Sequence, residues 1–155
     1  MLSISIIKVG QIKEPFFQEG LEEYSRRLRP YARLEVRSVR DFPLEGGRSV
    51  AREGELIQKE IQRAAPDVLV ALDERGKLLS SEQLARFVER RAVEGLSRIA
   101  FVVGGTMGLA QEVLGRADLR LSLSRLTFPH QMVPLILSEQ LYRSFKILRG
   151  EPYHY

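Results

Sequence analysis

Two short, almost continuously apolar segments in the middle of the chain place the strongest constraint on its fold. They cover residues 68–73 and 99–103 and are rich in Val, Leu, Ile and Ala. Each has the length of a strand, and the lack of polar alternation indicates that both faces of that strand are covered. Strands of this kind belong to parallel sheets that lie between two layers of helices. The chain is therefore predicted to have an α/β fold.

Strands and helices alternate around these two segments. Residues 3–10 are a β-branched run closed by glycine, residues 34–40 alternate as expected of a half-exposed strand toward an edge, and residues 119–123 form a fifth strand. Five helices are predicted. The first runs from Pro15 to the residue before Pro30, and the second ends before Pro66 with Leu56, Ile57, Ile61 and Ala64 inward. The third begins at a cap at Ser80 or Ser81, the fourth runs from about Leu109 to Leu114, and the fifth runs from about Met132 to Leu148.

One segment between the second strand and second helix carries turn residues. Pro43 to Ser49, with two adjacent glycines, is predicted to be a loop and the most flexible segment. No repeat or linker interrupts the pattern, so we predict a single domain over residues 1–155. Its fold is predicted to be a mostly parallel sheet of five to six strands with helices on both faces.

Composition excludes several classes of function. Cysteine is absent and there are two histidines, so disulfides, thiolate chemistry and a metal site are not expected. No segment is apolar for the length of a membrane span and no signal peptide is visible, so a cytoplasmic protein is expected. The net charge of +4 and pI near 9.6 allow a polyanionic partner. The predominance of arginine over lysine is explained equally well by such a partner and by genomic base composition or a hot habitat.

The carboxyl ends of the late strands carry the loops with chemical potential. In open α/β sheets ligands bind at this edge, and here it holds residues 72–76, 104–108 and 124–131. Gly104-Gly105 lacks the spacing of a dinucleotide fingerprint and no Walker lysine follows, so a tight strand-to-helix turn explains it equally well. His130 is either a cap, a packed loop residue or a group that handles protons. The terminal Tyr153-His154-Tyr155 is either a docked tail or part of a site.

Four motifs occur in order along the second half of the chain. They are Phe101-Val102-Val103-Gly104-Gly105-x-x-Gly108, Leu123-Ser124-x-Leu126-Thr127-Phe128-Pro129-His130, Glu139-Gln140-Leu141-Tyr142-Arg143 and the ending Pro152-Tyr153-His154. Together they resemble the pseudouridine N3-methyltransferases of ribosomal large-subunit RNA, which are minimal members of the SPOUT, or α/β-knot, superfamily. The resemblance covers essentially the whole chain. The departures are minor: Pro134 lies in the first turn of the last helix, and Tyr155 stands where a basic residue is common.

The resemblance implies a C-terminal trefoil knot, a homodimer, and S-adenosylmethionine bound in the knot. It implies as substrate a pseudouridine in 23S rRNA, methylated on the assembled 50S subunit or 70S ribosome, with the RNA spanning both subunits. By motif, the residues expected to bind the cofactor are Leu72, which ends its strand, Gly104, and the loop Leu123, Ser124, Arg125, Leu126, Thr127 and Phe128. Neither a metal nor a membrane is implied.

Methyl transfer to N3 requires removal of the ring proton or stabilisation of the anion. We therefore expect Arg143, with Tyr153 and His154 from the tail, to orient the base and stabilise its developing negative charge. His130 is a second candidate for handling the proton. Two alternatives remain open at this point. One is a knotted methyltransferase for transfer RNA or another ribosomal RNA site, and the other is a non-catalytic RNA-binding module.

Overall fold

The structure, a computed structural model, describes residues 1–42 and 47–155. Strands and helices alternate along the whole chain, as the sequence predicted. The elements are β1 Leu2–Val9, α1 Pro15–Leu28, β2 Ala32–Val39, α2 Gly47–Ala64, β3 Val68–Leu78, α3 Ser81–Val93, β4 Arg98–Val103, α4 Gln111–Arg116, β5 Leu119–Ser122 and α5 Val133–Leu148.

All described strands join one parallel sheet in the order β2-β1-β4-β3-β5. β4 lies at the centre, and its residues Ile99 to Val102 are buried on both sides. β2 lies at an edge, which confirms the position that its alternating pattern predicted. Because every strand points the same way, the loops that follow them meet at one edge of the sheet.

The two faces of the sheet carry separate hydrophobic cores. On β1, Ile4 and Ile6 face one core, whereas Ile7 and Val9 face the other. Helices α1, α3 and α5 cover the first face with Leu28, Leu84, Val88, Leu137 and Leu141. Helices α2 and α4 cover the second with Ile57, Ile61 and Val113. Helices on both faces are thus confirmed, and burial of each such side chain contributes roughly 1.5–3 kcal/mol to folding.

Local signals fix the helix starts that the sequence predicted. Pro15 and Pro134 lie in the first turns of α1 and α5, where the missing proline N–H has no helical partner to lose. Ser80, rather than Ser81, is the cap of α3. Its hydroxyl accepts from the Gln83 N–H at 3.1 Å, and its own N–H donates to Gln83 Oε1 at 2.8 Å, which forms a capping box.

Three predicted boundaries need correction. Residues 47–49 are helical, because α2 begins at Gly47 and its first turn buries Ser49 against the fold; Pro43 to Gly46 lie outside the described residues. β3 does not end near Leu72 but continues to Leu78, because β5 pairs with it again after an irregularity between Leu72 and Lys77. α4 begins at Gln111 rather than Leu109, since its N-cap Ala110 is extended.

Within residues 1–42 and 47–155, no helix is long and apolar enough to cross a membrane.

Candidate active site

The loop after β4 is a tight turn closed by its own backbone. The Gly108 N–H donates to the Gly105 carbonyl at 3.0 Å. A Cβ atom on Gly104 would lie 2.6 Å from the Gly108 carbonyl carbon, closer than any real side chain approaches. Gly104 is therefore required by the turn itself, and any ligand that contacts this loop meets exposed backbone.

The loop after β5 is shaped by serine side chains. The Ser122 hydroxyl donates to the Ser124 carbonyl at 3.0 Å, and the Ser124 hydroxyl accepts from the Leu126 N–H at 3.0 Å. Arg125, Leu126 and Thr127 point outward, and Leu126 is 74% exposed. These local bonds hold the loop in shape without a ligand, while its exposed side chains remain available for one.

A first cavity, of about 150 Å³, opens between this loop, α3 and α5. Leu123 and Phe128 give it apolar walls, and Ser81 and Gln140 give it polar atoms. Its volume is about half the lower limit of roughly 300 Å³ for a pocket that encloses a whole drug-sized ligand. The cavity therefore suits one flat heterocyclic ring with hydrogen-bonding edges, such as adenine. Leu72 lies beside it, since it pairs in register with Leu121 of β5.

A second cavity, of about 370 Å³, lies where the loops after β1 and β4 meet the segment before α5. Its lining residues are Val9, Lys13, Asp41, Phe42, Ser49, Glu53, Gly105, Thr106, Met107, His130 and Gln131. Gln131 is held by the Lys13 N–H, which donates to its Oε1 at 2.8 Å. The segment 123–131 thus borders both cavities, with Leu123 and Phe128 on one and His130 and Gln131 on the other.

The C-terminal tail is docked onto α5 through Arg143. This guanidinium makes a two-point contact with Glu139, with Nε 2.8 Å from Oε1 and Nη2 3.1 Å from Oε2. Its Nη1 donates to His154 Nδ1 at 3.1 Å. The other ring nitrogen of His154, Nε2, lies 2.7 Å from Glu82 Oε1 at the start of α3. The tail, α3 and α5 are therefore joined by one chain of hydrogen bonds.

Tyr153 adds aromatic packing to this cluster. Its ring stands edge-on to Tyr142 at 4.8 Å between centroids, and the Arg143 guanidinium lies 4.7 Å from its centroid. Its hydroxyl is 3.3 Å from that of Tyr24 on α1. Aromatic pairs and cation–π contacts of this geometry each contribute on the order of 1 kcal/mol. The tail is thus an ordered part of the domain.

Charge in the cluster is balanced locally. The contact with Glu139 raises the pKa of Arg143, and the hydrogen bond from His154 lowers the pKa of Glu82. Burial raises the pKa of Tyr153, so its hydroxyl stays protonated at neutral pH. Just before the tail, the hydrogen bond from Lys146 lowers the pKa of Glu151, and Tyr31 adds to this effect. At neutral pH the tail is therefore anchored by charged groups and by the uncharged hydroxyl of Tyr153.

The structure brings three of the four predicted catalytic residues together and separates the fourth. Arg143, Tyr153 and His154 are in contact, whereas His130 lines the second cavity. α5 starts at Val133, so Arg143 lies about 15 Å along the helix axis from the end that follows His130. The structure therefore does not bring all four groups to one point of the described chain.

Sequence reasoning missed the acidic partners in these sites. Glu139 could have been found, because it precedes Arg143 by one helical turn, the spacing at which such pairs meet. Glu53 also left a signal, since it lies one turn before Ile57 on the inward face of α2. Glu82 left none, because its contact with His154 joins residues 72 positions apart. Within the described part of the chain, no group of three acidic or histidine side chains is placed to hold a metal ion.

Comparison with known protein families identifies the family to which the chain belongs. A family model described as "Predicted SPOUT methyltransferase" matches residues 2–154. The chain belongs to the SPOUT methyltransferase family. The resemblance carried by the four motifs is thereby confirmed, and family membership brings with it the knotted form of the parallel sheet.

Relatives of this SPOUT methyltransferase match it from end to end. A protein of Symbiobacterium thermophilum named "Ribosomal RNA large subunit methyltransferase H" is 49% identical, with 99% of each chain covered. A protein of Carboxydothermus hydrogenoformans with the same name is 48% identical, again with 99% of each chain covered.

Solved structures agree with this SPOUT methyltransferase in fold. A probable methyltransferase from Bordetella pertussis Tohama I superposes with a TM-score of 0.57 at 14% identity, over 91% of this chain and 95% of that one. A probable methylase family protein from Haemophilus influenzae Rd KW20 gives 0.55 at 15% identity, over 99% of this chain and 70% of that one. At such low identity the likeness concerns the fold alone.

Proposed function

We propose that this SPOUT methyltransferase transfers a methyl group from S-adenosylmethionine to N3 of a pseudouridine in 23S rRNA of the 50S subunit or 70S ribosome. The names of relatives that are 48–49% identical over full length support a large-subunit rRNA substrate. The observation that carries the proposal is the convergence of the cofactor loop and the tail. Ser81 and Gln140 line the first cavity together with Leu123 and Phe128, and they neighbour the tail's partners Glu82, Glu139 and Arg143.

Leu72, Gly104 and the loop Leu123, Ser124, Arg125, Leu126, Thr127 and Phe128 form the proposed cofactor site. The apolar walls of the first cavity fit the adenine ring, and the backbone exposed at Gly104 can hydrogen-bond to the remainder. When bound, S-adenosylmethionine supplies an electrophilic methyl group on a sulfonium. The protein's task is to hold this group dry and in line with the nucleophile.

Arg143 is proposed to orient the base and to stabilise negative charge that develops on its carbonyl oxygens. Its contacts with Glu139 and His154 use three of the five N–H groups that a guanidinium carries. The remaining two can donate to a substrate, and the fixed geometry removes the need to reorganise during the reaction. Tyr153 and His154 are positioned by the same contacts. His130, in the second cavity, is proposed to lie near the base from the other side.

A homodimer is proposed because one chain separates these groups. Arg143 lies about 15 Å from the start of α5, so the tail of one protomer can complete the second cavity of its partner. Exposed apolar side chains near the loops and α1 support an interface. They include Phe16, Met107 and Leu126, which are 61%, 62% and 74% exposed. A sedimentation measurement that gave only monomers at assay concentration would contradict this part of the proposal.

RNA recognition is assigned to the surface of the proposed dimer. The net charge of +4 is consistent with contacts from arginines to phosphates. Ribosome binding should therefore weaken as salt rises, because phosphate contacts release counterions. A ribosomal substrate also implies a cytoplasmic protein.

The decisive experiment is transfer of labelled methyl groups to ribosomes from a strain that lacks this enzyme, followed by nucleoside mass spectrometry of the rRNA. We expect label on one pseudouridine as its N3-methyl derivative. Label on uridine, on transfer RNA or on another ribosomal site would show that the proposed substrate is wrong and would identify the RNA that is methylated instead. Absence of both transfer and a saturable S-adenosylmethionine site in calorimetry would instead favour a non-catalytic RNA-binding module.

A further inference from the structure

The second cavity contains a buried carboxylate to which the proposed reaction gives no role. Glu53 of α2 is 7% exposed and lines the cavity opposite the loop after β4. Its Oε1 is so close to Gly105 that a Cβ there would lie 3.3 Å from it. Glu53 is thus held at the same edge of the sheet as the loop that contains Gly104.

Glu53 has few partners within residues 1–42 and 47–155. One donor reaches its carboxylate, the Phe42 N–H at 3.3 Å from Oε2. The ion pairs of the described residues do not include it. A carboxylate offers about four acceptor positions, and the one hydrogen bond found among the described residues does not use them all.

Such a group is unfavourable for folding. Burial raises the pKa of Glu53, the Phe42 N–H partly opposes this, and nearby Asp41 adds to the rise. A buried carboxylate that no ion pair of the described residues includes costs free energy, and groups of this kind concentrate at functional sites. The ligand that would satisfy it must present an N–H or O–H donor.

The other walls of the cavity fit a pyrimidine ring. The guanidiniums of Arg40 and Arg52 lie over the ring of Phe42, 5.2 and 5.6 Å from its centroid, so this wall of the cavity carries positive charge. The carbonyl oxygen of Gln131 accepts from the Lys13 N–H, and its NH₂ group is a donor that suits a ring carbonyl. An amide NH₂ that can donate to a carbonyl oxygen, an aromatic wall and guanidiniums that can contact a phosphate suit a nucleotide of single-stranded or flipped-out RNA.

Size agrees with this assignment. The volume of about 370 Å³ falls in the range of roughly 300–1,000 Å³ for small-molecule sites. Enzymes that modify a base in RNA or DNA extrude it from the stack into a fitted pocket. The second cavity therefore has the dimensions and the polar groups of a pocket for one base with part of its ribose.

We propose that the second cavity receives the target base and that Glu53 accepts a hydrogen bond from the N1–H of pseudouridine. This inference rests on the proposed function. In pseudouridine the ribose is attached at C5, so N1 carries a hydrogen, whereas in uridine N1 carries the ribose and a C–H occupies that edge. N1 and N3 flank the same carbonyl carbon, C2. A base that presents N3 to the methyl donor therefore holds N1–H on the other side of that carbonyl. Glu53 thereby selects pseudouridine over uridine.

The test compares two ribosome preparations, one with pseudouridine and one with uridine at the target position. The uridine form comes from a strain that lacks the corresponding pseudouridine synthase. Wild-type enzyme should prefer the pseudouridine form on the order of 10²-fold in kcat/KM, because a site built around a donor rejects the analogue without it. Glu53→Leu, which removes the acceptor, should lose most of this preference through a lower rate on the pseudouridine form than on the uridine form.

Two further variants separate recognition from folding. Glu53→Asp keeps the charge but withdraws it by one methylene, so it should also lower the preference. Glu60 lies on the same helix, two turns away, and pairs with Arg37 and Arg63 outside the cavity. The control variant Glu60→Gln should retain the wild-type preference. Calorimetry with S-adenosylmethionine should give the same affinity for all variants.

An equal fall on both substrates in Glu53→Leu would overturn the inference, because it would mean that Glu53 acts on N3–H or on the fold. An unchanged preference in Glu53→Leu, or no preference in the wild-type enzyme, would overturn it as well. Failure of wild-type enzyme to methylate either preparation would refute the proposed function itself, which keeps the two failures distinct.

Discussion

Arg143 Nη1 lies 3.1 Å from His154 Nδ1, and this contact fixes the state of the imidazole. A guanidinium can only donate, so Nδ1 must accept. The ring hydrogen is then on Nε2, where it is donated to Glu82. In this arrangement His154 links α5 to α3. Its role in the proposed site is to hold Arg143 in place.

The first prediction concerns the geometry of Arg143 rather than its charge. Arg143→Lys keeps the charge but cannot hold Glu139 and His154 at once, so it should lose most of the activity. Arg143→Ala should lower kcat on the order of 10²–10³-fold, the usual effect of removing one fixed donor. Methyl transfer to ribosomes gives the rates, and S-adenosylmethionine affinity should be unchanged. Arg86→Lys, on the exposed surface of α3, is the matched control. Normal turnover of Arg143→Ala would refute its assignment.

A second prediction separates the ring of Tyr153 from its hydroxyl. Tyr153→Phe keeps the packing on Tyr142 and Arg143 and loses one long contact to Tyr24, so activity should stay within about threefold. Tyr153→Ala removes the packing and should release the tail, with a much larger loss of activity. Release of the last residues by carboxypeptidase measures the docking directly. Equal effects of the two variants would show that packing of the ring is not what holds the tail.

The elements of the fold that sequence predicted well are those with local signals. The apolar runs in β3 and β4, the prolines of α1 and α5 and the cap at Ser80 depend on neighbours within a few residues. The end of β3 could not be predicted in this way. Residues 73–78 are largely polar, and they extend the strand only because β5, more than 40 residues later, pairs with them again.

The candidate site shows the same division. The motifs predicted the proposed cofactor loop and the tail, since each of those is continuous in sequence. Where the tail docks was not predictable, because its contacts with Tyr24 and Glu82 span 129 and 72 residues. The second cavity was also missed. It is assembled from separate loops, and only the charged Glu53 on the inward face of α2 hinted at it.

A third prediction tests the turn after β4. Gly104→Ala places a Cβ 2.6 Å from backbone atoms of Gly108, so the turn must shift and S-adenosylmethionine should bind more weakly. Gly115→Ala is the matched control, since a Cβ there meets nothing within 4 Å. In the helix α4 it should add about 0.5–1 kcal/mol of stability. Thermal unfolding and calorimetry separate the two effects. Wild-type cofactor affinity in Gly104→Ala would remove this turn from the proposed site.

A fourth prediction follows from the raised pKa of Glu53. When burial raises the pKa of an acid in the folded state, its ionised form destabilises the fold at neutral pH. That penalty disappears as the pH falls through the folded-state pKa toward the unfolded value. Glu53→Gln should therefore unfold at a higher temperature than wild type at pH 7.5, on the order of 2–4 °C. The difference should shrink toward pH 4.5. A lower unfolding temperature at pH 7.5 would show that the charge stabilises the fold.

The last prediction tests whether two chains build one site. Gly104→Val blocks the cofactor turn, and Arg143→Ala removes the substrate-orienting group, so each homodimer should be inactive. If the tail of one protomer completes the partner's cavity, a heterodimer of the two variants has one site with both groups intact. Random exchange makes half of the dimers heterodimers, each with one of two sites restored, so about a quarter of wild-type activity should return.

Differently tagged, co-expressed chains allow the heterodimer to be purified and assayed. Arg143→Ala paired with His154→Ala is the control, because both changes lie in the tail cluster and should not complement. A heterodimer of the first pair without activity would place the complete site within a single chain.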